Sequence, residues 1–320
     1  MSDKLKCAVI GSGNMGKNHV RCFFELEDCD LVGISDLDNE LLERLSEQYT
    51  VRGYTDYKKM IEELRPDIVS ICVPTSLHYE VASYCFEKKI NVLLEKPIAM
   101  TSNEGEALIE KSKQNNVKFF VGHIERFNPA IIKVKEMIDD GELGDITSII
   151  ARRVGGFPPQ IKDADIAVDL AIHDIDIVNY LLGGLPENIN VHKKKNHIEN
   201  RADAVEFFLK YTTASAYVQA NWISPVKIRK LNITGSEGYL EMDYISQQIT
   251  FYKSNYEKFT EEIGDYSDFI LRFLEPDKIV ISVAKKEPLK EEIKYFVNCV
   301  KNDKEVDSLF ALDALKIVLN

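Results

Sequence analysis

The sequence predicts an α/β protein in two parts: a doubly wound parallel sheet, then an α+β domain with an open, largely antiparallel sheet. Three observations carry this. Over residues 1–122, short apolar runs alternate with segments of helical spacing, the pattern of a parallel sheet covered on both faces. From about residue 187, strand-like runs follow one another through short turns, as antiparallel hairpins do. At 320 residues the chain is long enough for two domains.

The elements follow in order. "LKCAVIG" is an apolar strand entering glycines, and "NMGKNHVRCFFEL" has helical spacing. "DLVGISD" is a second strand; "NELLERLSEQY" is a helix with Asp38 as its cap. "VRGY" and "DYKKMIEEL" form the next pair, "DIVSICVP" and "HYEVASYCFEKK" the one after. "NVLLEKP" is a strand stopped by proline. "SNEGEALIEKSKQNN" is a helix capped by Thr101 or Ser102, and "VKFFVG" is the last parallel strand. A helix over 129–139, a strand over 146–154, a loop "GGFPPQIKDAD" and a helix over 165–182 open the second part. Strand runs at 187–194, 204–211, 214–222, 228–234, 238–243 and 248–252 follow, then helices at 288–302 and 308–319. The expected domains are therefore 1–122, 123–287 and a helical C-terminal segment, 288–320, packing back near the first.

Composition narrows the function. The net charge is −12 with scattered basic residues, which argues against nucleic acid as a partner. The six cysteines show no zinc spacing and read as reduced buried thiols. The opening "MSDKLKCAVIGSG" has an apolar run too short for a signal segment, and no stretch is long enough to span a membrane. The expectation is a soluble cytoplasmic protein.

"VIGSGNMG" supplies Gly11, Gly13 and Gly16 between a strand and a helix. That context gives the glycines work: a tight turn, backbone approach to a pyrophosphate, and close helix–strand packing. Asn14 and Met15 lie in the same loop, before the helix N-terminus that faces the diphosphate. Asp36 ends the second strand, where an acid accepts from the ribose hydroxyls and repels a 2′-phosphate. With no arginine immediately after it, NAD is expected over NADP, on a Rossmann domain.

Two further strand ends face the same ligand side. Glu95, Lys96 and Pro97 close one strand, and Pro74, Thr75 and His78 follow another. Both groups are candidates to line the cofactor cleft; His78 either contacts the nicotinamide ribose or begins the next helix. In "VDLAIHDID", residues 168–176, α-helical spacing puts Asp169, His173, Asp176 and Tyr180 on one stripe roughly 60° wide, with Asp174 pointing elsewhere.

Taken in order and spacing, "VIGSGNMG", "PTSLH", "EKP" and "DLAIHDID" resemble the Gfo/Idh/MocA oxidoreductases over nearly the whole chain. The resemblance implies a Rossmann domain with an open-faced sheet domain, and catalytic roles for Lys96, Asp169 and His173. Physical chemistry fits those roles. A histidine accepts a proton near neutral pH. Asp169 one turn away orients His173 and steadies its charged form. Lys96 hydrogen-bonds the reacting oxygen; it and His173 can exchange the base role.

"GHIERFNPA" resembles the branch acting on UDP-sugars, notably UDP-N-acetylglucosamine 3-dehydrogenases and their UDP-uronic-acid relatives. The implied substrate is a nucleotide sugar, oxidised at its 3-hydroxyl in acetamido-sugar biosynthesis. Arg126, Asn128 and Arg153 are the expected substrate contacts, since arginine pairs with phosphate and strand alternation turns only one of Arg152 and Arg153 inward. A free sugar or inositol dehydrogenase and a non-catalytic NAD-binding regulator remain open alternatives. A metal-dependent lyase is disfavoured, and no metal ligand is assigned. An open sheet with one face needing cover suggests a homodimer or homotetramer.

Overall fold

The computed structural model describes residues 4–157, 165–263, 266–273 and 275–320. The loop expected over 155–165 falls mostly outside these residues. Contacts divide the chain into two compact units, one of 1–127 with 286–319, the other essentially 128–285.

In the first unit six parallel strands run in the order β3-β2-β1-β4-β5-β6: β1 (Leu5–Ile10), β2 (Cys29–Ser35), β3 (Arg52–Tyr54), β4 (Ile68–Ile71), β5 (Asn91–Glu95) and β6 (Phe119–Gly122). They alternate with α1 (Gly16–Glu25), α2 (Asn39–Tyr49), α3 (Tyr57–Leu64), α4 (His78–Glu87) and α5 (Ser102–Gln114). Asp38 caps α2 by accepting from Leu41 N, and Thr101 caps α5 in a reciprocal box with Glu104. The order 3-2-1-4-5-6 reverses between β1 and β4, which places ligands at the carboxyl ends of those strands.

Chain continuity would put residues 123–127 and 288–319 with the second half, but they belong to this unit. The turn Ile124–Phe127 stays because Phe127 packs on Phe120 of β6 at 5.9 Å and on Tyr295 at 5.3 Å. The domain boundary therefore lies at 127/128, five residues beyond the expected 122/123, and the return lies at 285/286. The two C-terminal helices, called α8 (Pro288–Lys301) and α9 (Leu309–Val318) in chain order, complete the layers. α8 adds Leu289, Ile293, Phe296 and Val297 to the core shared with α1, α2 and β1. Burying one such side chain contributes roughly 1.5–3 kcal/mol.

The second unit starts with α6 (Pro129–Asp139) and the long strand β7 (Ile146–Gly156). α7 (Ile172–Leu182) follows, led in by a π-helical turn at Ala167–Ala171. The strands β8 (Asn188–Lys194), β9 (Ala204–Lys210), β10 (Ser215–Asn221), β11 (Ile223–Gly235), β12 (Gly238–Asp243), β13 (Gln248–Lys253) and β16 (Asp277–Ile281) complete an eight-stranded sheet. Its order is β16-β13-β12-β11-β7-β10-β9-β8, antiparallel except for β7 with β10. Three strands were unforeseen from sequence: β16, and β14 (Tyr256–Ile263) and β15 (Tyr266–Phe273), which pair as a separate hairpin.

One face of this sheet is covered and the other is open. Along β7, Ile149, Ala151 and Arg153 are buried while Ile150 and Arg152 are exposed, the alternation of a half-covered sheet. Ile150, Tyr217 and Phe208 stand opposite one another on the open face. Among the described residues no helix is long and apolar enough to cross a membrane, and all six cysteines are free thiols.

Candidate active site

In the first unit the glycine loop is shaped by close approach. Gly11 has φ +84°, and a Cβ there would lie 2.7 Å from the Cys72 carbonyl. A Cβ on Gly16 would stand 1.8 Å from Gly11 O, so α1 approaches the end of β1 only because Gly16 lacks a side chain. Gly13 is the opposite case: a Cβ there would meet nothing within 4 Å. That is the open approach a pyrophosphate needs, in front of the amino end of α1, beside Asn14 and the part-exposed Met15.

Asp36 follows β2. Its Oδ2 accepts from Ser12 N at 2.5 Å and its Oδ1 from Asp38 N at 3.0 Å. The carboxylate therefore braces the glycine loop and remains half-exposed for a ribose diol. These residues fit NAD. Replacing Asp36 by Ser should weaken NAD binding about tenfold, the worth of one charged hydrogen bond, and admit NADP. Fluorescence titration with NADH and NADPH checks it, and unchanged selectivity would remove Asp36 from cofactor choice.

The two strand ends sort differently from expectation. Pro74 and Thr75 reach the surface after β4, Thr75 opening a short turn to Leu77. His78 does not. It is 1 % exposed, with Nδ1 2.8 Å from Pro97 O and Nε2 3.0 Å from Val73 O. Burial holds its pKa below the ordinary histidine value, so the neutral ring donates to one of those carbonyls. The expected ribose contact is thus corrected in favour of the other reading: His78 begins α4, and its ring ties the segment after Lys96 to the segment before Pro74.

Glu95 and Pro97 are likewise interior rather than cofactor-lining. Glu95 Oε1 lies 3.0 Å from His19 Nε2, and its Oε2 accepts from Lys96 N at 3.2 Å. His19 Nδ1 faces Ser70 Oγ at 2.8 Å. Burial opposes both charges. The Cys72 sulfur and Glu95 nonetheless raise His19 well above its usual pKa, and His19 lowers Glu95. A buried ion pair therefore backs Lys96, which is itself half-buried and joined to Pro97 by a cis peptide bond.

In the second unit the catalytic candidates sit where the helix changes type. Asp165 Oδ1 accepts from Ala167 N and Val168 N at 2.9 and 3.1 Å, starting the helix. The turn Ala167–Ala171 is π-helical, closed by Ile172 N on Ala167 O. Wide turns of this kind recur at functional sites. The expected regular α-helical stripe therefore does not run through Asp169. Asp169, His173 and Tyr180 are half-buried, whereas Asp176 is 1 % exposed.

Two expected substrate contacts turn out to be structural. Arg153 is 5 % exposed; its Nε and Nη2 donate to Asp174 Oδ2 and Oδ1 at 2.7 and 3.0 Å. Strand alternation correctly turned Arg153 inward, but onto α7. Asn128 is 2 % exposed, caps α6 by accepting from Ala130 N at 3.1 Å, and donates to Tyr244 O at 3.1 Å. An asparagine immediately before a helical proline is itself an N-cap signal. Arg126, in the first unit, stays half-exposed with its guanidinium 3.8 Å above the Phe310 ring. Sequence reading missed Asp174 as a partner and the pairing of His19 with Glu95.

Comparison with known proteins accords with both halves. The model of the oxidoreductase family with an NAD-binding Rossmann fold matches residues 5–123, and that of the GFO/IDH/MocA C-terminal domain matches residues 131–241. A UDP-N-acetylglucosamine 3-dehydrogenase of Acidithiobacillus ferrooxidans is 24% identical over 92% of this chain and 88% of its own. An NAD-dependent scyllo-inositol 2-dehydrogenase of Bacillus subtilis is 28% identical over 95% and 88%. The solved Acidithiobacillus structure matches with TM-score 0.84 at 23% identity, over 99% of this chain and 96% of that one. A levoglucosan dehydrogenase solved with NADH and levoglucosan gives 0.81 at 20% identity, over 99% and 95%. With two consecutive family models spanning more than two thirds of the sequence and the dinucleotide loop in place at their head, the chain belongs to the Gfo/Idh/MocA family of NAD-binding oxidoreductases, which act on CH–OH groups.

Proposed function

We propose that the chain oxidises the 3-hydroxyl of a UDP-sugar, UDP-N-acetylglucosamine foremost, to the 3-keto sugar. The observation carrying this reading is the joint presence of Lys96 after β5 and of Asp169 and His173 at the π-to-α junction. A pure NAD sensor has no need of a proton acceptor with an orienting carboxylate. The sugar is suggested by the 3-dehydrogenase similar over 92% of the chain.

NAD supplies the hydride acceptor when bound. His173 takes the hydroxyl proton, and Asp169 keeps the imidazole oriented and steadies its charge. Lys96 donates to the reacting oxygen and favours its alkoxide character. Its backbone is fixed by Glu95 on one side and, through Pro97, by His78 on the other. With Arg153 and Asn128 engaged in structure, Arg126 is the expected residue left to meet the diphosphate.

A second reading is favoured by one finding, the inositol dehydrogenase at 28% identity over 95% of the chain: oxidation of inositol or a free sugar. Incubation with NAD and a panel of UDP-hexoses, free hexoses and inositols separates the two, followed by NADH absorbance and product mass. A two-dalton loss from UDP-N-acetylglucosamine supports the first, and activity on inositol alone the second. No reduction by any polyol would favour a regulator. The open sheet face with Ile150, Phe208 and Tyr217 is read as the surface on which a second copy packs, to be tested by light scattering.

A further inference from the structure

One helix far along the chain carries a carboxyl group into the core beside Glu95. Glu292 of α8 lies on the face that buries Leu289, Ile293 and Phe296, and it is 0 % exposed. Among the described residues, neither of its carboxyl oxygens has a hydrogen-bond partner. Buried acids are rarely left so. Burial, with the charge of Glu95 adding to it, raises the Glu292 pKa well above the carboxylate range, against the pull of His19.

Gly122, at the end of β6 and paired in register with Glu95, stands between the two carboxyls. A Cβ built there would lie 3.4 Å from Glu292 Oε2, 3.5 Å from Glu95 Oε1 and 3.5 Å from Leu94 O. Three oxygens thus stand around the open side of Gly122, where an alanine methyl would meet them at ordinary contact distance. Glu95 Oε1 already faces His19 Nε2 at 3.0 Å, whereas a charged Glu292 would need donors that its oxygens do not meet among the described residues. One molecule satisfies the count: a water accepting from a neutral Glu292 and donating to Glu95 and Leu94.

We propose that Glu292 is held as a neutral acid and that a single buried water in the hollow at Gly122 links it to Glu95. The linkage makes Glu292 a positioning residue. It fixes the Glu95 carboxylate between His19 and the water, and Glu95 in turn accepts from Lys96 N. The effect on turnover rests on the reading of Lys96 as catalytic; the protonated acid and the water do not.

The test uses the full chain saturated with NAD. At pH 7 the infrared spectrum is expected to contain the carbonyl stretch of a neutral carboxylic acid, absent from Glu292→Gln. A high-resolution crystal structure should show a water within hydrogen-bond reach of both carboxyls, displaced in Gly122→Ala. Glu292→Gln, which keeps a neutral donor, should retain turnover within about twofold. Glu292→Met should lose about tenfold in kcat, as small displacements of a catalytic group do, with NAD affinity unchanged. A band that persists in Glu292→Gln, or a dry hollow in the wild type, overturns the proposal. Equal turnover of the Met and wild-type proteins overturns the positioning role. Should Glu292→Met fail to fold, the Gln variant and the crystal structure still decide. If no substrate is turned over at all, the catalytic reading fails while the band and the water remain to be judged.

Discussion

Replacing His173 by Asn is expected to lower turnover at least ~100-fold, the usual worth of a positioned general base, while NAD affinity stays as in the wild type. Asparagine keeps a polar side chain of similar reach but cannot take up a proton near neutral pH. The separation of effects follows from the architecture. The glycine loop and Asp36 belong to the first compact unit, and His173 to the second. Asp169→Asn should have a smaller effect, about tenfold, because the base survives and only its orientation and charge support are weakened. Steady-state kcat with UDP-N-acetylglucosamine and a parallel NADH titration check both variants. Near-normal turnover in His173→Asn would take the residue out of the mechanism and leave Lys96 as the base.

The cofactor half of the molecule was readable because its constraints are local. Gly16 is forced by a 1.8 Å contact with Gly11 O, and Gly11 by its φ of +84°, both within one strand–turn–helix unit, and such local constraints leave a spacing rule in the sequence. Asp36 follows from where β2 must end. The helix around His173 was less readable. Its apolar flanks announce a buried helix, but the π turn depends on Asp165 capping and on Ile166 N reaching Ala202 O at 3.3 Å, a contact 36 residues away in the chain. Periodicity at 100° per residue contains no such information.

The substrate residues show where alternation stops. It told correctly that Arg152 and Arg153 face opposite ways, and nothing in it named what lies opposite. Asn128 carried a readable signal, the following Pro129, which marks a cap before it marks a ligand. Glu292 was readable as well: counted at helical spacing it falls between Cys299 and Phe296 on the buried face of α8. A carboxylate inside an apolar stripe is a question that sequence can raise, although its partners across β5 and β6 come only with the fold. The run 256–281 hid three strands, because β14 (YEKFTEEI) mixes charged residues through its length and does not alternate cleanly between apolar and polar.

Arg153→Met is expected to destabilise the second unit by about 3–5 kcal/mol, the cost of leaving a buried charge without its partner. Asp174 is 0 % exposed and receives two of the guanidinium's hydrogen bonds, and the guanidinium also lies 4.9 Å from the Tyr244 ring centroid. Removing the arginine strands the carboxylate; removing both charges does not. The double variant Arg153→Met with Asp174→Leu should therefore regain most of the loss, keeping a deficit of about 1 kcal/mol from the lost ring contact. Arg153→Lys should fall between the wild type and the single Met variant, since an ammonium keeps the opposite charge beside Asp174 but cannot reproduce the two-pronged geometry. Urea unfolding followed by Trp222 fluorescence reports on this unit, because Trp222 is the chain's one tryptophan and lies between β10 and β11. The same experiment separates the two roles available to this arginine. A substrate contact would raise KM for a UDP-sugar and leave the unfolding midpoint unmoved. A structural clamp moves the midpoint first, and the double variant recovers it. An unstable double variant would mean that Arg153 holds α7 through contacts other than Asp174.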